Sequence, residues 1–453
     1  MPLPLKFSLL TKLSIAAITT SFTTCLSLLS PSAAIASGFA LTEQSVINLG
    51  TAASEGVAGI DDISTIHFNP AGLMRLPEEN AIVGAGYLIF SDVNFNNEGS
   101  FIAPGLAAIG NDGGSPGGVA FVPNLYGMVS VSDRARLGIG ITTPFGLSTE
   151  YDEDWVGRYQ AIKSDLLTIN INPTVAYQVS DDFSIGAGVN LQYAEAELSN
   201  AIDFGGILAS RGILTSRGTV SPQSADGEVN VSGSDWSVGF NAGVLYEPTE
   251  STRIGLAYRS SVNHTLRGSA DFAVPTAATP LTATGLFTDS TANAELNLPD
   301  TVALGVHQAI TDGLDLTADL TWTNWSDFQE LRVDFDSPQP DKVVPQNWRD
   351  TVRIAAGLTY DISDSWTIRG GVAYDPSPVP QEFVTARIPD SDRTWVSLGL
   401  SYEPTDNLSL DLAYTHIFIA GRSINQSEEG AGTLIGSYDN SVDIVGAQVN
   451  WRF

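Results

Sequence analysis

Counting back from the carboxyl end in steps of two gives Phe453, Trp451, Val449, Ala447 and Val445; between them stand Arg452, Asn450, Gln448 and Gly446. Apolar and polar side chains alternating at period two describe a strand whose two faces meet different surroundings. Ile444 falls on the polar register and breaks the pattern there. This alternation constrains the fold strongly because the alternative way across a membrane is missing. Beyond the first 36 residues no stretch holds 18 apolar residues in a row, so no helix there is apolar enough to span a bilayer. A chain of this kind that enters a membrane does so as a closed barrel.

Residues 1–36 read as a secretion signal. Lys6 and Lys12 supply a positive start, Leu13 to Leu29 is an apolar run diluted by Ser and Thr, and Ala34-Ile35-Ala36 is a small-x-small cleavage site. The single cysteine, Cys25, lies inside this signal behind Phe22-Thr23-Thr24, a poor lipobox. The remaining chain therefore has no disulfide and no thiolate metal site. A net charge of −30 excludes a basic surface for nucleic acid. A hydrophobic content of 43% with steady aromatics argues against an acidic disordered chain. An exported chain whose last strand ends on Phe453 has the form of an outer-membrane β-barrel, with outer-membrane lipid around it and that strand offered to the barrel-assembly machinery.

From residue 80 onward one unit repeats: strand, short polar turn, strand, long loop. Short turns are expected at Ser132-Asp133-Arg134, Ser180-Asp181-Asp182, Glu247-Pro248-Thr249-Glu250, Thr311-Asp312-Gly313, Ser363-Asp364-Ser365 and Glu403-Pro404-Thr405-Asp406. Asp and Ser bond nearby backbone N–H groups, and Pro and Gly preset the turn dihedrals. Longer connections rich in Gly, Pro, Asn and Asp cover roughly 91–117, 150–162, 199–231, 271–292, 336–345, 376–391 and 422–435. Six turns and seven loops join fourteen antiparallel strands, the even count of bacterial barrels, with both barrel ends on the short-turn side. Leu408, Leu410, Leu412 and Tyr414 alternate with Ser409, Asp411 and Ala413 as such a wall strand would. Tyr177, Tyr246, Tyr258, Trp322, Trp325, Tyr360 and Tyr402 stand near strand ends and suit aromatic girdles. The bland alternative is a large soluble all-β protein.

Residues 37–79 do not share the strand pattern. Ala52-Ala53-Ser54-Glu55, Asp61-Asp62-Ile63 and Asn69-Pro70-Ala71 place caps before short helix-compatible pieces. Fourteen strands enclose more space than inward side chains fill, and this segment has the length to plug it. The expected organisation is a signal over 1–36, a helical hatch over 37–79 inside the lumen, and an all-β, fourteen-stranded transmembrane barrel over 80–453.

The chain resembles the FadL-type outer-membrane transporters of long-chain fatty acids and other hydrophobic compounds. The likeness rests on an ordered series from Ser37 to Phe453. It begins with Ser37-Gly38-Phe39-Ala40-Leu41 and His67-Phe68-Asn69-Pro70-Ala71-Gly72, continues through Phe121-Val122-Pro123-Asn124, Thr142-Thr143-Pro144-Phe145-Gly146-Leu147, Trp155-Val156-Gly157-Arg158-Tyr159 and Ile169-Asn170-Ile171-Asn172-Pro173, and closes with Asn347-Trp348-Arg349-Asp350, Tyr374-Asp375-Pro376-Ser377-Pro378-Val379-Pro380 and Ile388-Pro389-Asp390-Ser391-Asp392-Arg393. The resemblance implies a hatch built on Asn69, Pro70 and Ala71, and a third strand kinked inward at Pro144, Phe145 and Gly146 to open the wall sideways. It also implies a ligand pocket reached by Phe39. Pro144 has no N–H for a ladder, and Gly146 tolerates unusual dihedrals, so the local chemistry agrees with a break. The family's ligand-holding cations have no counterpart: the matching stretches read Glu197-Leu198-Ser199-Asn200 and Val343-Val344-Pro345-Gln346, with Lys342 and Arg349 nearby.

No chemistry of catalysis is legible. His67, His264, His307 and His416 are widely spaced, and no nucleophile elbow, phosphate loop or dinucleotide fingerprint is present. Asp61-Asp62 and Asp181-Asp182 are expected as solvated caps and turns. The expected function is passive uptake of a hydrophobic ligand, without cofactor or metal; aromatic-hydrocarbon uptake by the same fold and a general porin are the alternatives. Capture is expected at the loop carrying Phe204, Ile207, Leu208, Ile213 and Leu214, facing Leu281 and Phe287, because clustered apolar residues outside the cell mark binding surfaces.

Overall fold

The computed structural model describes residues 38–212, 214–215 and 218–453, without side chains over 213–219. The expected secretion signal, Ile213 and the Leu214 side chain lie outside the described residues. Fourteen antiparallel strands follow one another around a closed wall. They are β1 (Ala81–Asn97), β2 (Val119–Ser132), β3 (Ala135–Thr142 and Gly146–Glu150), β4 (Lys163–Ser180), β5 (Phe183–Asp203), β6 (Asp226–Thr249) and β7 (Thr252–Arg259 and Val262–Ala273). Then come β8 (Ser290–Leu298 and Thr301–Thr311), β9 (Leu314–Thr323 and Glu330–Phe335), β10 (Lys342–Pro345 and Thr351–Ser363), β11 (Trp366–Asp375), β12 (Arg393–Thr405), β13 (Leu408–Ile419 and Arg422–Glu428) and β14 (Gly432–Arg452). β14 returns to pair with β1 from Arg452–Ala81 to Gly436–Asn97, which closes the barrel.

All six expected short turns join strands, and each is preceded by a register shift in the ladder. Six of the seven long connections are shorter than expected, because strands run into them, while the one expected at 376–391 extends to 392. β6 alone has 24 residues, about 80 Å of chain at ~3.4 Å per residue, whereas the apolar band of an outer-membrane barrel is about 25 Å tall. The upper strands therefore stand beyond the bilayer. Outward side chains form that band: Val445, Val449 and Trp451 on β14 with Phe453 just past its end, Leu410, Leu412 and Tyr414 on β13, and Trp366 and Ile368 on β11 are all exposed.

The inner face changes character along its height. On β14 Tyr438, Val442 and Ile444 are buried above, with Asn440 the polar exception among them, then Gln448 and Asn450 towards the short turns. On β12 and β13, Trp395, Ile417 and Ile419 lie above Ser401 and Asp411. Ile444, which breaks the alternation of the final strand, belongs to the apolar upper half.

Residues 38–80 contribute no wall strand. They hold α1 (Val46–Gly50), α2 (Thr65–Phe68) and a 3-10 turn at Pro70–Arg75. Their backbone lies against inward glycines of many strands. A methyl group on Gly371 of β11 would collide with the Thr51 carbonyl, and one on Gly255 of β7 with the Val57 carbonyl. One on Gly399 of β12 would sit 3.0 Å from Gly50 Cα. Small residues at one level of the wall thus admit this segment.

Candidate ligand site

Asn69, Pro70 and Ala71 seat the segment on β5 and β6. The Asn69 amide donates to the Val57 carbonyl at 2.8 Å and the Val244 carbonyl at 3.0 Å. Its Oδ1 accepts from Ala71 N at 3.1 Å, capping the 3-10 turn that opens on Pro70. Gly186 and Gly243 lie directly behind Ala71 and Asn69, with no room for a side chain. On the far side Arg353 donates to the Ala52 and Ala53 carbonyls at 3.2 and 3.0 Å, and these two residues adopt left-handed φ of 55° and 63°.

Three carboxyls of this segment, Glu43, Glu55 and Asp62, are enclosed. Burial pushes the Glu43 carboxyl up to about 7 and that of Asp62 up to about 6, because the charged form loses its water. Asp62 caps Ser64 N at 2.7 Å and accepts from the Gln448 amide at 2.6 Å. It is therefore a buried cap rather than the solvated one expected from Asp61-Asp62. Asp61 does remain exposed, paired with Arg253 at 3.0 Å and Arg75 at 3.4 Å.

The wall is interrupted where the first described residues meet it. The β2–β3 ladder ends at Leu125–Ile141. Beyond that, Gly146–Glu150 pairs with β4 and Val119–Asn124 with β1, and among the described residues no ladder joins the two. Gly146, Leu147, Ser148 and Thr149 are buried in succession, which a flat wall strand cannot achieve, so this part of β3 lies inside the line of the wall. The amino-terminal residues fill the break in β3 itself. Leu41 N donates to the Pro144 carbonyl at 2.8 Å, and Gly146 N donates to the Phe39 carbonyl at 2.9 Å.

Phe39 points into a cage of four rings. Its centroid lies 4.9 Å from Trp325, 5.5 Å from both Phe328 and Trp348, and 6.1 Å from Phe145. β9 leaves the sheet at 324–329 and β10 at 346–350 to bring three of these rings inward. Trp325 is therefore a cage residue, not the girdle residue its position near a strand end suggested. Phe328 lies in no segment that carries the resemblance, and Trp348 lies in one, Asn347-Trp348-Arg349-Asp350, with no role attached to it, since an aromatic in a broken strand reads as loop packing. Beside the cage is a cavity of about 160 Å³, lined by Leu41, Phe68, Phe145 and Trp325 and also by Arg259, Asp319, Arg353 and Asp375. Above it one apolar cluster continues past Leu147, Ile388 and Val442 to Tyr438 and Trp155, where Tyr151 stacks on Trp155 at 3.9 Å.

The loop residues come together in a separate cluster. Phe204, Leu208 and Leu281 are buried against one another with Ala278, while Ile207 and Phe287 are half-buried at its edge. Phe204 and Phe287 meet edge to face at 4.9 Å. Phe204 and Leu208 sit on α3 (Phe204–Ser210), which Asp203 caps through Gly206 N at 2.7 Å. A cation does reach the stretch where sequence matching finds none. Arg387 donates to the Ser199 carbonyl at 3.3 Å and to Asn200 Oδ1 at 3.2 Å. Lys342 pairs instead with Glu428.

The model of a family described as outer membrane protein transport protein (OMPP1/FadL/TodX) matches residues 27–453. The long-chain fatty acid transport protein of Escherichia coli K12 is 31% identical over 431 residues, covering 89% of this chain and 94% of that protein. Outer membrane protein P1 of Haemophilus influenzae is 33% identical over 422 residues, with 88% and 90% covered. Among solved structures, a Pseudomonas aeruginosa FadL homologue superposes with a TM-score of 0.82 at 26% identity, covering 92% of this chain and all of that one. The Pseudomonas putida toluene transporter TodX, at 18% identity and a TM-score of 0.67 over 88% and 97% of the two chains, shares the fold.

Proposed function

The chain belongs to the OMPP1/FadL/TodX family of outer membrane transport proteins, and from that premise we propose that it carries long-chain fatty acids or similar hydrophobic molecules passively across the outer membrane. The observation that carries this reading is the meeting of an enclosed apolar interior, running from Trp155 down to the Phe39 cage, with the interrupted wall beside Gly146. A hydrocarbon chain gains about 0.8 kcal/mol per CH₂ in apolar surroundings, so a series of apolar sites suits such cargo better than water. Capture falls to the loop cluster, through the half-buried Ile207 and Phe287, with Phe204, Leu208 and Leu281 behind them. Cargo then passes to Phe39 and leaves between β2 and β3 at Pro144, Phe145 and Gly146. Residues 37–79 act as the hatch and block the open channel that a general porin requires. The final strand is read by the assembly machinery, outer-membrane lipid surrounds the barrel, and no catalytic step is involved.

Purified protein in liposomes tests the reading. Labelled long-chain fatty acid is expected to enter faster than into protein-free vesicles, while small sugars are retained. Sugar entry at porin rates, or fatty-acid entry no faster than the bare lipid allows, would overturn it.

A further inference from the structure

Resting on that transport reading, we propose that cargo passes from the loop cluster into the apolar interior along the inner face of upper β9, through a slit beside upper β10, and that the Lys342–Glu428 ion pair is the latch across that slit.

The two apolar regions are separate. Phe204, Leu208 and Leu281 belong to one, and the residues from Trp155 down to Phe39 to the other, so cargo held by the first needs a track to the second. A row of rings begins it. Phe287 lies 4.9 Å from Phe204 and 6.1 Å from Phe272, which lies 6.1 Å from Phe335 at the end of β9. Phe335, Val333 and Leu331 then descend one face of Glu330–Phe335, alternating with Asp334 and Arg332. Val333 is buried with Phe335 packed beside it, and Leu331 packs against the interior cluster.

The wall has a gap at this level, above the ends of β11 at Asp375 and β12 at Arg393. Among the described residues, Lys342–Pro345 of β10 pairs with β9 alone, and Arg422–Glu428 of β13 with β14 alone. Residues 376–392 fold into the gap as a strap, bonded to the β13 side. The Gln381 amide donates to the Ser423 carbonyl at 2.8 Å, Arg422 to the Val379 carbonyl at 2.6 Å, and Ala386 N to Gln426 Oε1 at 2.8 Å. Among the described residues no hydrogen bond or ion pair joins the strap to Lys342–Pro345. The gap is crossed instead by the Lys342 ammonium, paired with Glu428. Their side chains are 42% and 12% exposed, and a pair that water reaches holds weakly, so it opens and recloses where a strand ladder would stay shut. Glu428 also accepts from the amide of Gln426, the residue that holds Ala386, so latch and strap share an anchor. Val384 of the strap and Ile424 of β13 are buried in the interior cluster, and a slit parted here leads into it.

The chain beyond residue 36 has no cysteine, which makes a cross-link the direct test. Lys342→Cys with Glu428→Cys, bridged by 1,2-bismaleimidoethane in the purified full chain, holds the latch closed; the same pair capped with N-ethylmaleimide leaves it free. Oleate entry into liposomes is expected to fall at least fivefold in the bridged protein and to stay within twofold of the unaltered rate in the capped one. Entry unchanged by the bridge, or lowered equally by the caps, overturns the proposal. Should the bridged protein lose its heat-modifiable mobility, p-benzoylphenylalanine at position 331 of the otherwise unaltered chain decides. Radiolabelled oleate should be photo-crosslinked there at least fivefold more than at position 343, where Val343 stands on the exposed face of β10. Equal or absent labelling at 331 overturns the proposal. Oleate entry no faster than through bare lipid, with position 331 still labelled, would sink the transport reading and leave the track standing.

Discussion

At the scale of single residues, the inward glycines decide how the amino-terminal segment sits. Gly371→Val is expected to force Thr51 off the wall at a cost of about 1–3 kcal/mol, as overpacking does, and to raise ion conductance in planar bilayers while the barrel keeps its gel mobility. Conductance at the intact level would show that the segment yields without unseating. The buried carboxyls supply a second handle. With folded values raised to about 7 for Glu43 and about 6 for Asp62, both groups favour the seated state most below about pH 4, their ordinary range. That contribution fades as pH rises through 6 and 7. Conductance should therefore be higher at pH 8 than at pH 5, and Asp62→Asn with Glu43→Gln should reduce the difference, Glu55 being raised by burial in the same way; a slope of the opposite sign contradicts the assignment. Sequence reading reached some of these residues and not others. Period two placed Val449 and Trp451 outside and Gln448 inside. It did not find the glycine level, which exists only once the register of all the strands is known, and it misplaced Trp325, whose local signal matches that of a membrane-interface aromatic.

At the scale of elements, the interrupted β3 and the paired loops carry the predictions. Pro144→Val with Gly146→Ala should extend the β3–β4 ladder and draw the segment into line with β2. Long-chain fatty acid uptake into whole cells should fall severalfold while surface binding persists, and unchanged uptake with confirmed insertion would rule out this exit. In the loop cluster, Phe204 and Leu208 are enclosed, so Leu208→Ser should loosen the loops, whereas Ile207→Ser with Phe287→Ser should weaken capture of labelled fatty acid while leaving mobility intact. Capture undiminished by the second pair would leave the cluster a packing role only. The number of strands and the six turns were legible because Asp, Pro and Gly punctuate them. Strand length was not, since above the bilayer β6 pairs with β5 as far as Asp226–Asp203 and β14 with β1 as far as Gly436–Asn97, and these ladders need no membrane-facing alternation to hold them; Gly- and Asn-rich stretches such as 226–234 therefore read as loop.

At the scale of the whole molecule, the amino-terminal segment and the barrel are separable in sequence but joined in space. Deleting residues 40–75 should leave an inserted barrel with conductance raised well above the intact level, and an unchanged conductance would mean that the segment does not occlude the lumen. The same contacts also impose an order of events. Gly38 bonds to Asp390, Val46 to Gln448 and Asp62 again to Gln448, across 352, 402 and 386 positions of chain. Closing such long spans is entropically costly before any contact rewards it. The amino-terminal segment therefore precedes every wall strand in the chain yet cannot settle until the last strand is in place. During assembly it must travel as an unfolded leader with its apolar residues, Val46, Leu49 and Phe39 among them, uncovered. Mutations that delay barrel closure should then show themselves first as degradation from this end, a vulnerability in time that the finished protein no longer displays.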